Sequence, residues 1–318
     1  MDVSTMEELA DPELAARLQQ LRAKPNQPSR TIGATELRHR RHAAIRPPGP
    51  KLARVADLIV SGEVAIPVRL YQPTMGALPL LVFFHGGGWT VGDLTTHDGT
   101  CRRIAKEADV AVLAVDYRLA PENPWPAAVD DAVLVTLWAF AHAHELVGSD
   151  IVAVAGDSAG GNLAALVCLR LRDERRRMPD AQVLIYPNTD LTFSQPSVKE
   201  KGAGWGLDAD DALWYAEQWV PDSALRANPR ISPLFEPDLS GLPPTIVVTA
   251  EHDPLRDEGN AYANKLRNSG VLVIARCEPG LVHGFLGLSS VSPIATNAAQ
   301  RLYRDVQQLL QGNSEITA

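Results

Sequence analysis

Six short runs in this chain are apolar without interruption: LPLLVFF (78–84), VAVLAV (110–115), IVAVA (151–155), VLIY (183–186), TIVVTA (245–250) and VLVIA (271–275). A strand covered on one face only alternates apolar and polar side chains, so unbroken runs of this length predict strands buried on both faces, as in a parallel sheet. Two earlier segments, Ala53 to Val60 and Val64 to Tyr71, do alternate and predict an antiparallel hairpin ahead of that sheet. Stretches of helical period lie between the runs: Thr100 to Glu107, Pro126 to His144, Asn162 to Glu174, Arg256 to Ser269 and Ser292 to Gln311. The alternation predicts an open, mostly parallel α/β sheet of eight strands with helices on both faces.

Two segments stand outside this rhythm. Asp11 and Pro12 open a capped helix whose Leu14, Leu18 and Leu21 share a face. Prolines 25, 28, 47, 48 and 50 then surround a short basic helix from Glu36 to Ala44, which marks residues 1–50 as an attachment to the core. Between VLIY and TIVVTA the chain runs far longer than an ordinary connection and carries Trp205, Trp214, Tyr215 and Trp219. At the strand ends of an α/β sheet, such an insertion reads as a lid over a site, or as an extra surface helix with a small core of its own. The expected organisation is a cap segment at 1–50, core at 51–187, a cap insertion at 188–230 and core at 231–318.

The 318 residues suffice for a large core, and a formal net charge of -8 argues against nucleic acid or an acidic membrane surface as a partner. Cys101, Cys168 and Cys277 are too scattered for a disulfide framework or a zinc site. The acidic start MDVSTMEELADPELAARLQQL lacks the features of a signal peptide, and no apolar stretch is long enough to cross a bilayer, so cytoplasmic residence is expected.

Gly156-Asp157-Ser158-Ala159-Gly160 fits G-x-S-x-G, with an apolar strand before it and a helical pattern after it. A serine on so sharp a turn needs small neighbours two residues away, and a helix N-terminus beside it favours developing negative charge. His85-Gly86-Gly87-Gly88-Trp89 follows another buried strand. Residues without side chains let backbone amides approach an oxyanion, and the N–H groups of Gly87, Gly88 and Ala159 are the expected donors.

Together these motifs resemble the hormone-sensitive-lipase-like, or family IV, carboxylesterases of the α/β-hydrolase fold. Nearly the whole chain shares the resemblance: Asp116-Tyr117-Arg118-Leu119-Ala120-Pro121-Glu122 follows the fourth strand, Tyr186-Pro187 with Asp190 the sixth, Asp253-Pro254-Leu255-Arg256-Asp257-Glu258-Gly259 the seventh, and His283-Gly284-Phe285 the eighth. Asn188 and Asn123-Pro124-Trp125 depart from the usual pattern, which touches substrate preference more than mechanism. The resemblance implies hydrolysis of short-to-medium acyl esters, a cap built from the N-terminal helix and the Trp-rich insertion, and pairing of two copies through the eighth strand, around VLVIARC.

Ser158, Asp253 and His283 occur in the order serine, acid, histidine that this fold requires. His283 would take the proton of Ser158 Oγ and pass it to the leaving alcohol, and Asp253 would hold the imidazole. Asp257, about one helical turn on, is the rival acid; with Glu258 it also suits the first turn of the next helix. His39, His42, His142 and His144 sit in exposed helical patterns, His97 follows the glycine loop, and His252 would point elsewhere from its strand end. His85 is expected to order the glycine loop by hydrogen bonding. Tyr117 and Glu122 are supporting residues, although Glu122 equally fits a solvated position. Asp157 is expected to anchor the serine turn by accepting backbone hydrogen bonds, with the Tyr117–Glu122 segment as a donor.

The reading is a serine carboxylesterase acting on a small-molecule ester, with no metal or organic cofactor required by its chemistry. A lactone, amide or acetylated natural product would be served by the same residues. A non-catalytic small-molecule receptor on this fold is the alternative of a different class, and the presence of His283 weighs against it.

Overall fold

A computed structural model describes residues 9–312 apart from 10, 24–26 and 45. Pro25 and the first eight residues of the N-terminal segment lie outside the described residues. One eight-stranded sheet forms the centre: β1 (Arg54–Val60), β2 (Ile66–Gln72), β3 (Leu80–Phe84), β4 (Ala111–Val115), β5 (Val152–Asp157), β6 (Gln182–Ile185), β7 (Thr245–His252) and β8 (Val273–Val282), in the order β1-β2-β4-β3-β5-β6-β7-β8. The hairpin is antiparallel, with Val60 opposite Ile66, and β2 joins β4 antiparallel. From β4 to β8 every pairing is parallel.

The apolar runs explain themselves through the two-residue period of a strand. Leu80, Val82 and Phe84 enter one core with Val154, Leu163 and Leu184; Leu81 and Phe83 enter the other with Ile104, Val183 and Leu302. Helices α5 (Ala127–Val147), α6 (Ala159–Asp173) and α9 (Arg256–Asn268) supply the first core, and α4 (Asp98–Ala108) and α10 (Pro293–Gln311) the second. The eighth run differs from the expectation of a strand covered on both faces: Val273 to Arg276 are only half-buried. It lies at the sheet edge, with no further strand beside it.

Strand order decides where a site can form. From β3 the chain crosses to β4 on one side and later returns to β5 on the other, so the loops leaving the carboxyl ends of β3 and β5 part and leave a crevice. The HGGGW loop leaves β3 and Ser158 leaves β5, so both flank it.

Above the crevice lie the two segments outside the core rhythm. Their helices are α1 (Pro12–Ala23), α2 (Ser29–Ile32) and α3 (Ala34–Ala43), then α7 (Pro196–Glu200) and α8 (Ala209–Trp219). Asp11 caps α1 by accepting the Leu14 N–H at 3.0 Å. Leu14 and Leu18 are buried, whereas Leu21 departs from the expected apolar face and is 47% exposed. The segments meet where Ser29 N–H donates to Asp211 and Arg30 pairs with Glu217. Trp219 of α8 stacks on Trp89 of the HGGGW loop at 4.2 Å between centroids, which ties the insertion to the core. No helix among the described residues is long and apolar enough to cross a membrane.

Candidate active site

Ser158 joins β5 to α6 with φ +56° and ψ -121°, a backbone state that costs a residue bearing Cβ of order 1–3 kcal/mol. Packing holds it there. A Cβ on Gly160 would overlap the Phe84 carbonyl, and one on Gly156 would overlap the Gly160 carbonyl, so strand and helix approach closely enough only with hydrogen at both positions. The Ser158 side chain thereby projects from the turn at the N-terminus of α6.

His283 arrives after β8. Its Nε2 lies 2.9 Å from Ser158 Oγ and its Nδ1 2.8 Å from Asp253 Oδ2. Asp253, just past β7, is fully buried, and its other oxygen accepts the Leu255 N–H at 2.8 Å. Asp257 faces away from this chain of hydrogen bonds. It accepts the Ser197 N–H at 2.9 Å and pairs with Arg256, so it fastens α7 to α9. Glu258 lies in the first turn of α9 as expected, but its side chain is wholly buried and accepts the Thr189 N–H at 2.7 Å from the loop after β6. Burial pushes its carboxyl well above the usual carboxylate range.

Asp157 accepts the Gly86 N–H at 2.8 Å. The donor is the glycine loop, where the Tyr117–Glu122 segment was expected, because β3 and β5 are neighbours in the sheet and bring their two loops together. Tyr117 holds the same loop one residue earlier, donating its hydroxyl to the His85 carbonyl at 2.7 Å and stacking on the His85 ring at 4.3 Å. His85 Nδ1 lies 2.9 Å from the Gly86 carbonyl oxygen. Glu122 does not touch the glycine loop in any hydrogen bond: its side chain is 54% exposed and pairs with Arg38 of α3. Arg38 also donates to the Thr90 and Ala120 carbonyls, each at 2.7 Å, which seats α3 beside the loop.

Gly87 and Gly88 have φ of +128° and +58°. A Cβ on Gly88 would collide with the Tyr215 ring of α8, so the loop and the insertion touch at its backbone. The cavity holding Ser158 has a volume of about 110 Å³ and is walled by Gly87, Gly88, His283, Asn188, Leu207, Tyr215, His97 and Arg41, among others. His97, placed by the sequence only as following the glycine loop, is half-buried near Asp157, with Nε2 3.8 Å from Oδ1. Burial, then the neighbouring charges, drives both His85 and His97 down to about 3, so both imidazoles are neutral near pH 7. His252 stacks on Trp205 at 4.1 Å, away from Ser158. Tyr215 belongs to the aromatic insertion read as a lid, whereas Leu207 and Arg41 carried no legible signal beyond lying in the two irregular segments. Among the described residues no group of three or more His, Cys, Asp or Glu is placed to hold a metal ion.

The arrangement is a hydroxyl with a hydrogen-bonded base, an acid behind the base, and a small-residue loop facing the hydroxyl. Comparison with known proteins gives the same direction. Residues 81–287 match the model of an α/β-hydrolase fold family. The carboxylic ester hydrolase LipN of Mycobacterium tuberculosis is 49% identical over 76% of this chain and 67% of its own length. The esterase LipI of the same organism is 38% identical over 93% of this chain and 94% of its own. Among solved structures, the hyperthermophilic esterase of the archaeon Pyrobaculum calidifontis superposes with a TM-score of 0.87 at 37% identity, covering 94% of this chain and 98% of that one. With its sheet order, its serine turn and relatives of this kind over most of its length, the chain belongs to the α/β-hydrolase family and is a carboxylic ester hydrolase.

Proposed function

We propose that this esterase works through an acyl-enzyme on Ser158. The observation that carries the reading is the continuous hydrogen-bond chain Ser158 Oγ, His283, Asp253, at 2.9 and 2.8 Å, opening on a cavity bordered by Gly87 and Gly88. His283 Nε2 takes the hydroxyl proton as Oγ attacks the ester carbonyl carbon. The tetrahedral oxyanion is received by the N–H groups of Gly87, Gly88 and Ala159, held in advance because Asp157 and Tyr117 fix the loop at Gly86 and His85. The imidazolium, stabilised by Asp253, protonates the leaving alkoxide. Water then enters, gives its proton to His283 and attacks the acyl carbonyl, and collapse returns the proton to Ser158 with release of the acid.

The substrate is a small ester. The modest cavity of about 110 Å³, walled by Leu207 and Tyr215, supports short acyl groups over long ones. Residues 1–50 and 188–230 serve as the cap over a core of 51–187 and 231–318; Tyr215 against Gly88 and Trp219 against Trp89 support that division. A graded p-nitrophenyl ester series tests the reading together with a fluorescent organophosphonate. The expected result is activity falling with acyl length, labelling at Ser158, and loss of both in Ser158→Ala. Full activity in Ser158→Ala, or no labelling of the wild type, overturns it.

A further inference from the structure

Arg41 on α3 stands in the walls of two cavities: the one holding Ser158, and a wider one of about 550 Å³ that also reaches Tyr117 and Asp116. Its placement follows from Arg38, three residues earlier on the same helix face, which is bound to the Thr90 and Ala120 carbonyls and to Glu122. That clamp fixes the helix beside the glycine loop, and Arg41 on the same helix borders the crevice.

The other charged groups of these walls are engaged, Asp116 excepted. Arg118 is paired with Asp131, and Arg38 with Glu122. Asp93 accepts the Thr95 and Thr96 N–H groups and faces His42, while Asp157 is committed to Gly86. Asp116 borders the outer cavity and not the one holding Ser158. Arg41 makes no ion pair with any described carboxylate. Its charge is nevertheless felt inside, at His97 and at Asp157. A guanidinium offers five N–H donors in a fork that matches a carboxylate, and Arg41 borders the cavity that holds Ser158. The chain as a whole carries a net charge of -8, so an anion gains nothing from the distant field and depends on local cations; Arg46 also acts on His97, but only Arg41 of the two borders the cavity of Ser158.

We infer that Arg41 is a specificity residue and that the preferred esters carry an anionic group, most simply a carboxylate, a few bonds from the scissile carbonyl. The inference rests on ester hydrolysis at Ser158 and names the substrate class of that site.

The test compares kcat/KM for the p-nitrophenyl monoester of glutarate with that for p-nitrophenyl pentanoate, an uncharged acyl chain of similar length. A second arm moves the carboxylate to the leaving group, with 3-carboxy-4-nitrophenyl butyrate against p-nitrophenyl butyrate. The readout is the anionic-to-neutral ratio, which a general disturbance of the cavity wall leaves in place. Arg41→Gln is expected to lower the ratio about fivefold in at least one arm, mainly through KM, as fits a partly exposed charge. Arg41→Lys should keep more of it, and raising the salt concentration should shrink it in the wild type. Ratios within twofold of wild type in both arms overturn the inference. If Ser158 is still labelled by the phosphonate and the neutral esters are still hydrolysed in that case, the inference alone has failed; if labelling fails, the underlying reading has.

Discussion

Asp157 and Asp253 are both buried carboxylates close to Ser158, and their hydrogen bonds assign them different work. Asp253 faces the imidazole, whereas Asp157 faces backbone. Asp253→Asn should therefore leave the fold intact and lower kcat by roughly 10⁴-fold, the cost of holding the wrong tautomer. Asp157→Asn keeps an oxygen for the Gly86 N–H and should lose only about tenfold in kcat/KM, equivalent to about 1.4 kcal/mol. Equal, severe losses in two folded variants would overturn the division. The buried histidines give a test by pH. Both His85 and His97 are held at about 3 from an ordinary 6.5, so the unfolded chain binds protons that the folded chain refuses. Their contribution is fully present above pH 6.5 and is lost as pH falls toward 3. In that window each contributes a slope of roughly 1.4 kcal/mol per pH unit. Asp116, raised to about 6, together with Asp157 and Glu258, works with opposite sign, since these acids hold protons longer when folded. The measurement is thus a difference: urea unfolding of His97→Gln between pH 4 and 6.5 should show a stability that declines less steeply with acid than the wild type. Parallel slopes would reject the assignment.

At the scale of elements, the glycine loop is held from three directions: by Asp157 from β5, by Tyr117 from the loop after β4, and by Trp219 from α8. Trp219 is fully buried in a near-parallel stack, with an interplanar angle of 6°. Truncating Trp219→Ala should cost about 3–5 kcal/mol of stability, read as a lower Tm by calorimetry. It should also raise KM for p-nitrophenyl butyrate, because the insertion and the loop share that contact. A large stability loss with an unchanged KM would mean that the stack supports the core alone. The element boundaries themselves were largely legible: β1, β3, β4 and β7 and the five long helices fall within a few residues of the apolar pattern, because each must bury the face that the pattern displays.

At the scale of the molecule, β8 is an edge strand, half-buried over Val273 to Arg276. Pairing of two copies through it remains the expectation, and light scattering should return the mass of two chains; the mass of one rejects it. Strand order also separates what was readable from what was not. Ser158, Asp253 and His283 could be named from the sequence because each is a local event: a chemically specific residue just after a buried run, in an order the fold imposes. The partner of Asp157, the burial of Glu258, the place of His97 and the contact of Tyr215 with Gly88 could not. Each joins residues far apart in the chain, and the loops carrying them have no period to betray a facing surface. Local pattern sets which segments must be buried, since burying apolar surface is favourable wherever it happens. Which buried segments become neighbours is settled only by close packing of the whole, and that packing turned a glycine, an aspartate and an arginine on a short helix into the walls of one site.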